Sequence, residues 1–146
     1  MGVRGMKLSD TDRIISMIKT SESEQVIIVS ESGYGKRTLV SDFRLQSRAG
    51  KGIKAYKITE KTGNIAGVVS VTDDDELLMI NSVGTMIRIR VDDVSILSRV
   101  TSGVKMIRID KDEDIKVAAI AKVKEKFASE EVNEELEEES VNEDTE

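Results

Sequence analysis

The chain has 146 residues, of which 38% are hydrophobic and only 3% aromatic, so its core must be aliphatic. It contains no cysteine, which excludes disulfide bonds and thiolate metal sites, and no histidine, which removes the commonest metal ligand and the usual general base near neutral pH. The net charge is −6, but residues 128–146 hold ten acidic side chains and no basic one, so residues 1–127 carry a net charge of +4. A basic body with an acidic tail indicates interaction with nucleic acid or another polyanion.

The chain also has no apolar stretch near the roughly 20 residues that a membrane-spanning helix needs. Its first residues lack the apolar region of a secretory signal. We therefore expect a soluble, cytoplasmic protein with no membrane partner.

Short β-strands are expected along the chain, separated by glycine-containing turns. Residues 1–8 have the pattern that ends a repeat, and about 118–127 fits a last strand or a short helix. Proline is absent, which suits strands that are paired on both sides. The predicted strands lie at 14–19, 25–31, 36–41, 53–58, 65–71, 77–81, 86–91, 103–109 and 115–121.

The sequence repeats with a period of 51 residues. A repeat of this length with several short strands is typical of propeller blades, and such a unit must stack on its neighbours to bury its apolar face. We predict an all-β partial propeller of about two and a half four-stranded blades over 1–127. Matching positions include Val26–Val29 with Leu77–Ile80, Gly33 with Gly84, Arg37 with Arg88, Ser47–Arg48 with Ser98–Arg99, and Gly52 with Gly103.

The acidic tail, 128–146, is predicted to be disordered, because its few apolar residues cannot offset the loss of chain entropy. A charge-dense helix is the alternative. The tail could lie across a basic surface and compete with phosphate, or it could only improve solubility.

Residues 46–52, Gln-Ser-Arg-Ala-Gly-Lys-Gly, are basic and rich in glycine. Such a segment lets the backbone approach a phosphate while arginine and lysine supply charge. The alternative is a tight turn with solvated cations. Ser-Arg recurs at 98–99, and Gly-x-Lys recurs at 5–7 and 103–105, which favours a stripe of cations at matching positions.

A second basic feature is the pair of hairpins at 32–38 and 83–90. In 86–91 the residues alternate, so Arg88 and Arg90 share one face of a strand. This face is either an ordinary solvated surface or part of a nucleic-acid interface. Arg37 at the repeat position of Arg88 favours the second interpretation.

No catalytic or metal-binding motif is found. Gly33–Thr38 lacks the spacing of a phosphate-binding Walker loop. Asp110, Asp112 and Asp114 lack the glycine and the glutamate that a calcium loop requires. We predict no catalysis within this chain.

Five motifs in order resemble the last blades of the C-terminal domain of the A subunit of bacterial DNA gyrase, over about residues 1–124. They are Val-Arg-Gly-Met-Lys-Leu at 3–8, Gly-Tyr-Gly-Lys-Arg-Thr at 33–38, Ser-Arg-Ala-Gly-Lys-Gly at 47–52, Ile-Asn-Ser-Val-Gly-Thr at 80–85 and Ser-Arg-Val-Thr-Ser-Gly-Val at 98–104. The resemblance implies a β-pinwheel whose basic outer rim wraps double-stranded DNA without reading bases and so supports negative supercoiling. It also implies the bacterial cytoplasm and nucleoid as the location. The implied partners are the gyrase B subunit, together with the rest of the A subunit.

The same resemblance places the DNA-linking tyrosine and the ATPase outside this chain, so that ATP and Mg²⁺ serve the holoenzyme only. The family's signature box, Gln-Arg-Arg-Gly-Gly-Lys-Gly, is matched in degenerate form, because Ser47 and Ala49 depart from it. The matching box residues are Gln46, Arg48, Gly50, Lys51 and Gly52. The family's domain has about six blades, so we expect a fragment or a truncated reading frame, with open sheet edges that favour self-association.

Two alternatives stay open: the C-terminal domain of the A subunit of topoisomerase IV, which selects DNA geometry, and a protein-interaction propeller fragment with no role on DNA.

The predicted DNA-binding residues are phosphate-neutralising cations of the basic body. The cations are Arg4, Lys7, Lys36, Arg37, Arg48, Lys51, Lys54, Arg88, Arg90, Arg99, Lys105 and Arg108.

Overall fold

Seven strands form two antiparallel sheets in the computed structural model, which describes residues 2–21, 24–109 and 114–124. A single turn of 3-10 helix, Val40–Asp42, follows the second strand. The predicted all-β, propeller-type fold is confirmed. The strands are β1 (Gln25–Ser30), β2 (Tyr34–Leu39), β3 (Ile65–Val71), β4 (Asp75–Asn81), β5 (Met86–Arg90), β6 (Val104–Lys105) and β7 (Val117–Lys124).

The 51-residue repeat is visible in the order of the strands. One sheet runs β3-β1-β2-β6 and the other runs β5-β4-β7, so β1 and β4 are the central strands at matching positions. A β-bulge between Val29 and Ser30 recurs between Ile80 and Asn81. Each repeat therefore supplies the central hairpin of one blade, and a strand from later in the chain pairs with that hairpin.

Local sequence explains the two hairpins. Gly33 and Gly84 have φ angles of 77° and 87°, a region that glycine enters without steric cost. In β4 the buried residues alternate, and Leu77 and Met79 point inward. The β1 strand is buried along its whole length, because both of its faces are covered.

The core lies between the two sheets and is aliphatic, as the composition predicts. Gly67 on β3 permits their close approach, because a Cβ at this position would lie 2.7 Å from the Ile120 side chain of β7. The buried core residues are Ile27, Val29, Val71, Leu77, Met79, Val91, Val94, Ile107 and Val117.

The fourth strand of the first blade comes from the second repeat. Tyr34 pairs with Lys105 and Gly35 pairs with Val104, so β6 covers the outer edge of β2. Gly103 precedes this strand with a φ of 74°, and a Cβ there would overlap the Gly35 carbonyl oxygen. In the second blade the described residues supply no fourth strand, so the expectation of four-stranded blades holds for the first blade alone.

Two predicted strands, 14–19 and 53–58, do not form, and the prediction for 103–109 is too long. The repeat gives the reason. Residues 14–19 match β3, which pairs with β1, and residues 53–58 match the region of β6, which pairs with β2, but among the described residues no strand pairs with either segment. A strand needs a partner for its backbone groups, so apolar β-forming sequence alone does not produce one.

The alternatives for 118–127 are decided in favour of a strand as far as Lys124. The boundary at 127, the disorder of 128–146 and its helical alternative lie outside the described residues and stay predictions. In the part of the chain that the structure describes, no helix is long and apolar enough to cross a membrane.

Candidate nucleic-acid interface

The box segment, 46–52, lies against the beginning of the chain. The Ala49 N–H donates to the Gly5 carbonyl at 2.9 Å, and the Lys7 N–H donates to the Gly50 carbonyl at 2.9 Å. Met6 and Gly50 form a parallel bridge between the two segments. Backbone pairing therefore brings together two basic segments that are more than forty residues apart in the sequence.

Four exposed cations, Arg4, Lys7, Arg48 and Lys51, come from these paired segments, and we call them the box cluster. Lys7 and Lys51 line one shallow hollow. Among the described residues, no carboxylate forms an ion pair with any of the four. Their charge is therefore available to an external anion.

The box residues themselves line a neighbouring hollow. Gln46, Arg48, Gly50 and Gly52 surround it together with Gly5 and Met6. One carboxylate, that of Asp12, lies beside Lys7 and Lys51. Hydrogen bonds from Ser9 lower the pKa of Asp12.

Ala49 adopts a left-handed conformation with a φ of 60°, at the position where the family box has glycine. This conformation costs an alanine about 1 kcal/mol or more, because its Cβ approaches the backbone. The box turn therefore forms here in spite of its degenerate sequence.

We expect Ala49→Gly to raise the free energy of unfolding by about 0.5 to 1 kcal/mol, because glycine relieves the strain but loses more chain entropy on folding. Denaturant titration measures the change. Ala119→Gly is the matched control: Ala119 lies in the regular strand β7, and there the same change should destabilise. Equal effects of the two substitutions would contradict the strained turn.

Further exposed cations lie in both repeats. Lys54, Lys105 and Arg108 are exposed, and Lys105 lies on β6. Arg99 is partly exposed and donates to the Lys54 carbonyl at 2.8 Å, which connects the two repeats. These four residues fit a phosphate-contacting role.

Arg88 and Arg90 lie on one exposed face of β5, as the alternation predicts, but acidic side chains neutralise them. Arg88 pairs with Glu76 of β4, and Arg90 pairs with Asp92 at 2.7 Å. The hydrogen bond from Arg90 lowers the pKa of Asp92. A phosphate would have to displace a carboxylate at each site, although exposed pairs of this kind are worth at most about 1 kcal/mol.

The assignment of Arg37 as a DNA contact is corrected by its burial, since only 6% of it is exposed. Its Nε donates to the Val94 carbonyl at 2.5 Å, and one terminal nitrogen donates to the Asp92 carbonyl at 3.1 Å. The other donates to Gln25 Oε1 at 2.9 Å and pairs with Asp73. The guanidinium is thus used to hold β2 against the following loop and is not available to a phosphate.

The assignment of Lys36 is corrected for the same reason. This lysine is fully buried, and its ammonium donates to the carbonyls of Ser98 at 2.7 Å and Arg99 at 2.5 Å. It also lies 5.4 Å from the centre of the Tyr56 ring. A signal in the sequence could have found this: the 51-residue shift carries Lys36 to Ile87, an apolar residue that faces inward.

Burial, and then the positive charge of Arg99, lower the pKa of Lys36 to about 8. The unfolded chain then binds more protons than the folded chain between pH 8 and about 10.4, so stability due to this group rises with pH in that window. From pH 7.5 to pH 9.5 we expect wild type to gain about 2 kcal/mol relative to Lys36→Met, at 1.36 kcal/mol per pK unit. Denaturant titrations at the two pH values measure the difference. If the free energies of unfolding of the two proteins change in parallel with pH, burial does not lower the pKa of Lys36.

The described residues contain no group of three acidic side chains that could hold a metal ion.

A family profile described as the DNA gyrase C-terminal domain, beta-propeller, matches residues 1–21, 24–72 and 75–122. The chain is 41% identical to the DNA gyrase A subunit of Klebsiella oxytoca over 132 residues, and 40% identical to that of Staphylococcus aureus (strain NCTC 8325 / PS 47) over 135 residues. These alignments cover 90% and 91% of this chain but only 15% of each relative.

Solved structures are similar as well. A DNA gyrase A C-terminal domain superposes with a TM-score of 0.75 at 29% identity, over 83% of this chain and 41% of that one. The C-terminal domain of a DNA topoisomerase IV superposes with a TM-score of 0.78 at 24% identity, over 94% of this chain and 42% of that one. The second likeness bears on the fold alone, because its identity is so low.

Proposed function

Because this chain belongs to the family of DNA gyrase C-terminal β-propeller domains, we propose that it binds double-stranded DNA as the last blades of a gyrase A-type subunit. The observation that carries the proposal is the box cluster, Arg4, Lys7, Arg48 and Lys51. These cations come from two segments that the fold joins, and their charges are unpaired among the described residues. The contacts are to phosphate, so binding is independent of base sequence.

Wrapping is the finer part of the proposal. A cation on each successive blade lets a duplex follow a curved rim, and DNA presents one charge per about 1.7 Å of its axis. The repeated cations Lys54 and Lys105 occupy matching positions on neighbouring repeats and are both exposed. In a complete enzyme, where the rest of the A subunit joins the gyrase B subunit, this curvature would support negative supercoiling in the bacterial nucleoid. ATP, Mg²⁺ and strand cleavage would belong to those other parts.

The test is DNA affinity across a salt series, on a linear duplex long enough to wrap. If the box cluster neutralises about four phosphates, log K should fall with log salt at a slope of about −3.6. Binding without a salt dependence would overturn the proposal and favour a protein-interaction propeller.

The acidic tail gives a second arm to the same experiment. We propose that its ten carboxylates compete with phosphate for the basic body. Truncation after residue 127 should then tighten DNA binding at low salt, and replacing the ten acids with their amides should do the same. If truncated and complete chains have equal affinity and slope, the tail has no role on DNA.

A further inference from the structure

Lys36 is a buried cation that lies beneath a surface loop. Its side chain is fully buried, and its ammonium donates to the carbonyls of Ser98 and Arg99 at 2.7 and 2.5 Å. Burying an ammonium costs free energy unless polar groups replace the water that it loses. Here the replacement comes from two consecutive carbonyls and from the ring of Tyr56, whose centre lies at 5.4 Å. The lysine is therefore committed to one short stretch of main chain.

The loop above Lys36 comprises residues 97–103, and we call it the second box loop because the shift of 51 carries 46–52 onto it. Its carbonyls at the two positions that the lysine holds are directed inward. The carbonyl of Ser102 is directed inward too, because it accepts from the hydroxyl of the buried Tyr56. Carbonyl oxygens are the negative ends of peptide dipoles, so this arrangement keeps negative potential away from the surface that a phosphate would approach.

Arg99 is the cation that this stretch of main chain carries. It is partly exposed, and one terminal nitrogen donates to the Lys54 carbonyl at 2.8 Å. No ion pair joins Arg99 to a carboxylate within the described part of the chain. A guanidinium has five N–H donors, so one bond leaves donors for an external oxygen. Because Lys54 is itself exposed, two cations from different repeats leave the main chain at adjacent places on the surface.

Both ends of the second box loop are held independently of Lys36. At its beginning the Leu97 N–H donates to the Arg37 carbonyl at 2.8 Å, and near its end the Lys57 N–H donates to the Thr101 carbonyl at 3.0 Å. Loss of the ammonium should therefore free the middle of the loop, which carries the guanidinium, while both ends stay attached to the fold.

We infer that Lys36 is a positioning residue for DNA binding: its ammonium fixes the main chain at Ser98 and Arg99 and so holds the Arg99 guanidinium beside Lys54, where it can bind a phosphate. The inference rests on the proposed function, and it gives a role in a DNA contact to a residue that does not itself reach DNA. Methionine in place of Lys36 fills a similar volume but has no N–H, so the loop would lose both bonds.

The slope of log K against log salt tests the inference, with the 146-residue chain on a linear duplex, because each phosphate contact contributes about −0.9 to the slope. Lys36→Met should make the slope shallower by about 0.9, and Arg99→Gln should do the same. The double variant should also lose about 0.9 and not about 1.8, since both changes remove one and the same contact. Lys36→Gln, whose side chain is one bond too short to reach both carbonyls, gives the same measurement should Lys36→Met not fold.

Thr38→Val is the matched control, because the Thr38 hydroxyl is buried on the same strand and donates to the neighbouring Leu97 carbonyl at 2.9 Å. It should lose stability and keep the wild-type slope, which separates positioning from a general loosening of the fold. Thermal melts show that each variant is folded at the assay temperature. The inference is overturned if Lys36→Met keeps the wild-type slope, if the two losses add in the double variant, or if Thr38→Val lowers the slope equally. A wild type without any salt dependence would instead overturn the proposed DNA binding itself.

Discussion

Arg37→Met will lower the free energy of unfolding by about 3 kcal/mol or more. The substitution removes the donor to two buried acceptors, the Val94 carbonyl and Gln25 Oε1, and each unsatisfied buried group costs about 1 to 3 kcal/mol. Denaturant unfolding measures the loss. DNA affinity per folded molecule and its salt slope should not change, because the guanidinium is buried and does not reach a phosphate.

Arg88→Met is the matched control, because Arg88 occupies the same position in the second repeat. Its side chain is about half exposed and pairs with the exposed side of the sheet through Glu76, so the expected loss of stability is below about 1 kcal/mol. A variant at Arg37 that is as stable as the one at Arg88 would show that the buried network does not form. If the slope of log K for DNA binding against log salt becomes shallower in Arg37→Met, Arg37 does contact DNA.

Replacing Arg4, Lys7, Arg48 and Lys51 together with glutamine should make the slope of log K against log salt shallower by about 3.6. Between 50 and 200 mM salt, this part of the slope corresponds to roughly a hundredfold loss of affinity, which the variant should no longer show. Stability should change little, since all four side chains are exposed. Affinity across a salt series, with a thermal melt for each protein, gives both quantities.

The control carries the same change of net charge at other exposed cations: Arg13, Lys19, Lys57 and Lys61, all replaced with glutamine. It should retain a slope close to that of wild type, because only position distinguishes the two variants. Equal loss in both would mean that overall charge, and no particular surface, attracts DNA. The box cluster would then not be the DNA-binding surface.

The hairpins and the central strands could be predicted because their signals are local. Gly33 and Gly84 mark turns that need a positive φ, and the apolar runs that become β1 and β4 flank them. Residues 14–19 and 53–58 have similar β-forming sequence and do not form strands. The difference is pairing: a strand exists only where another backbone satisfies it, and that is a property of the assembled sheet.

The candidate site divides in the same way. Basic residues near glycines are visible in the sequence, but the sign of a side chain's charge does not reveal whether that side chain is buried. Arg37 and Arg88 occupy equal positions in the repeat, yet the first is buried beneath the loop that contains Val94 and Asp92 and the second is exposed. Glu76 and Asp92, which neutralise Arg88 and Arg90, were also missed, because no sequence pattern singles them out as partners.

By itself the sequence determined the class of this molecule: an all-β repeat of 51 residues, an aliphatic core, and a basic body before an acidic tail. These follow from composition and periodicity, which act at every position regardless of the partners. Only the tertiary structure decided which cations face outward, which strands find partners, and that the two segments of the box cluster meet. These depend on contacts between residues far apart in the chain. Such contacts also decide whether a charged side chain can be buried, because a buried charge without partners costs a large amount of free energy.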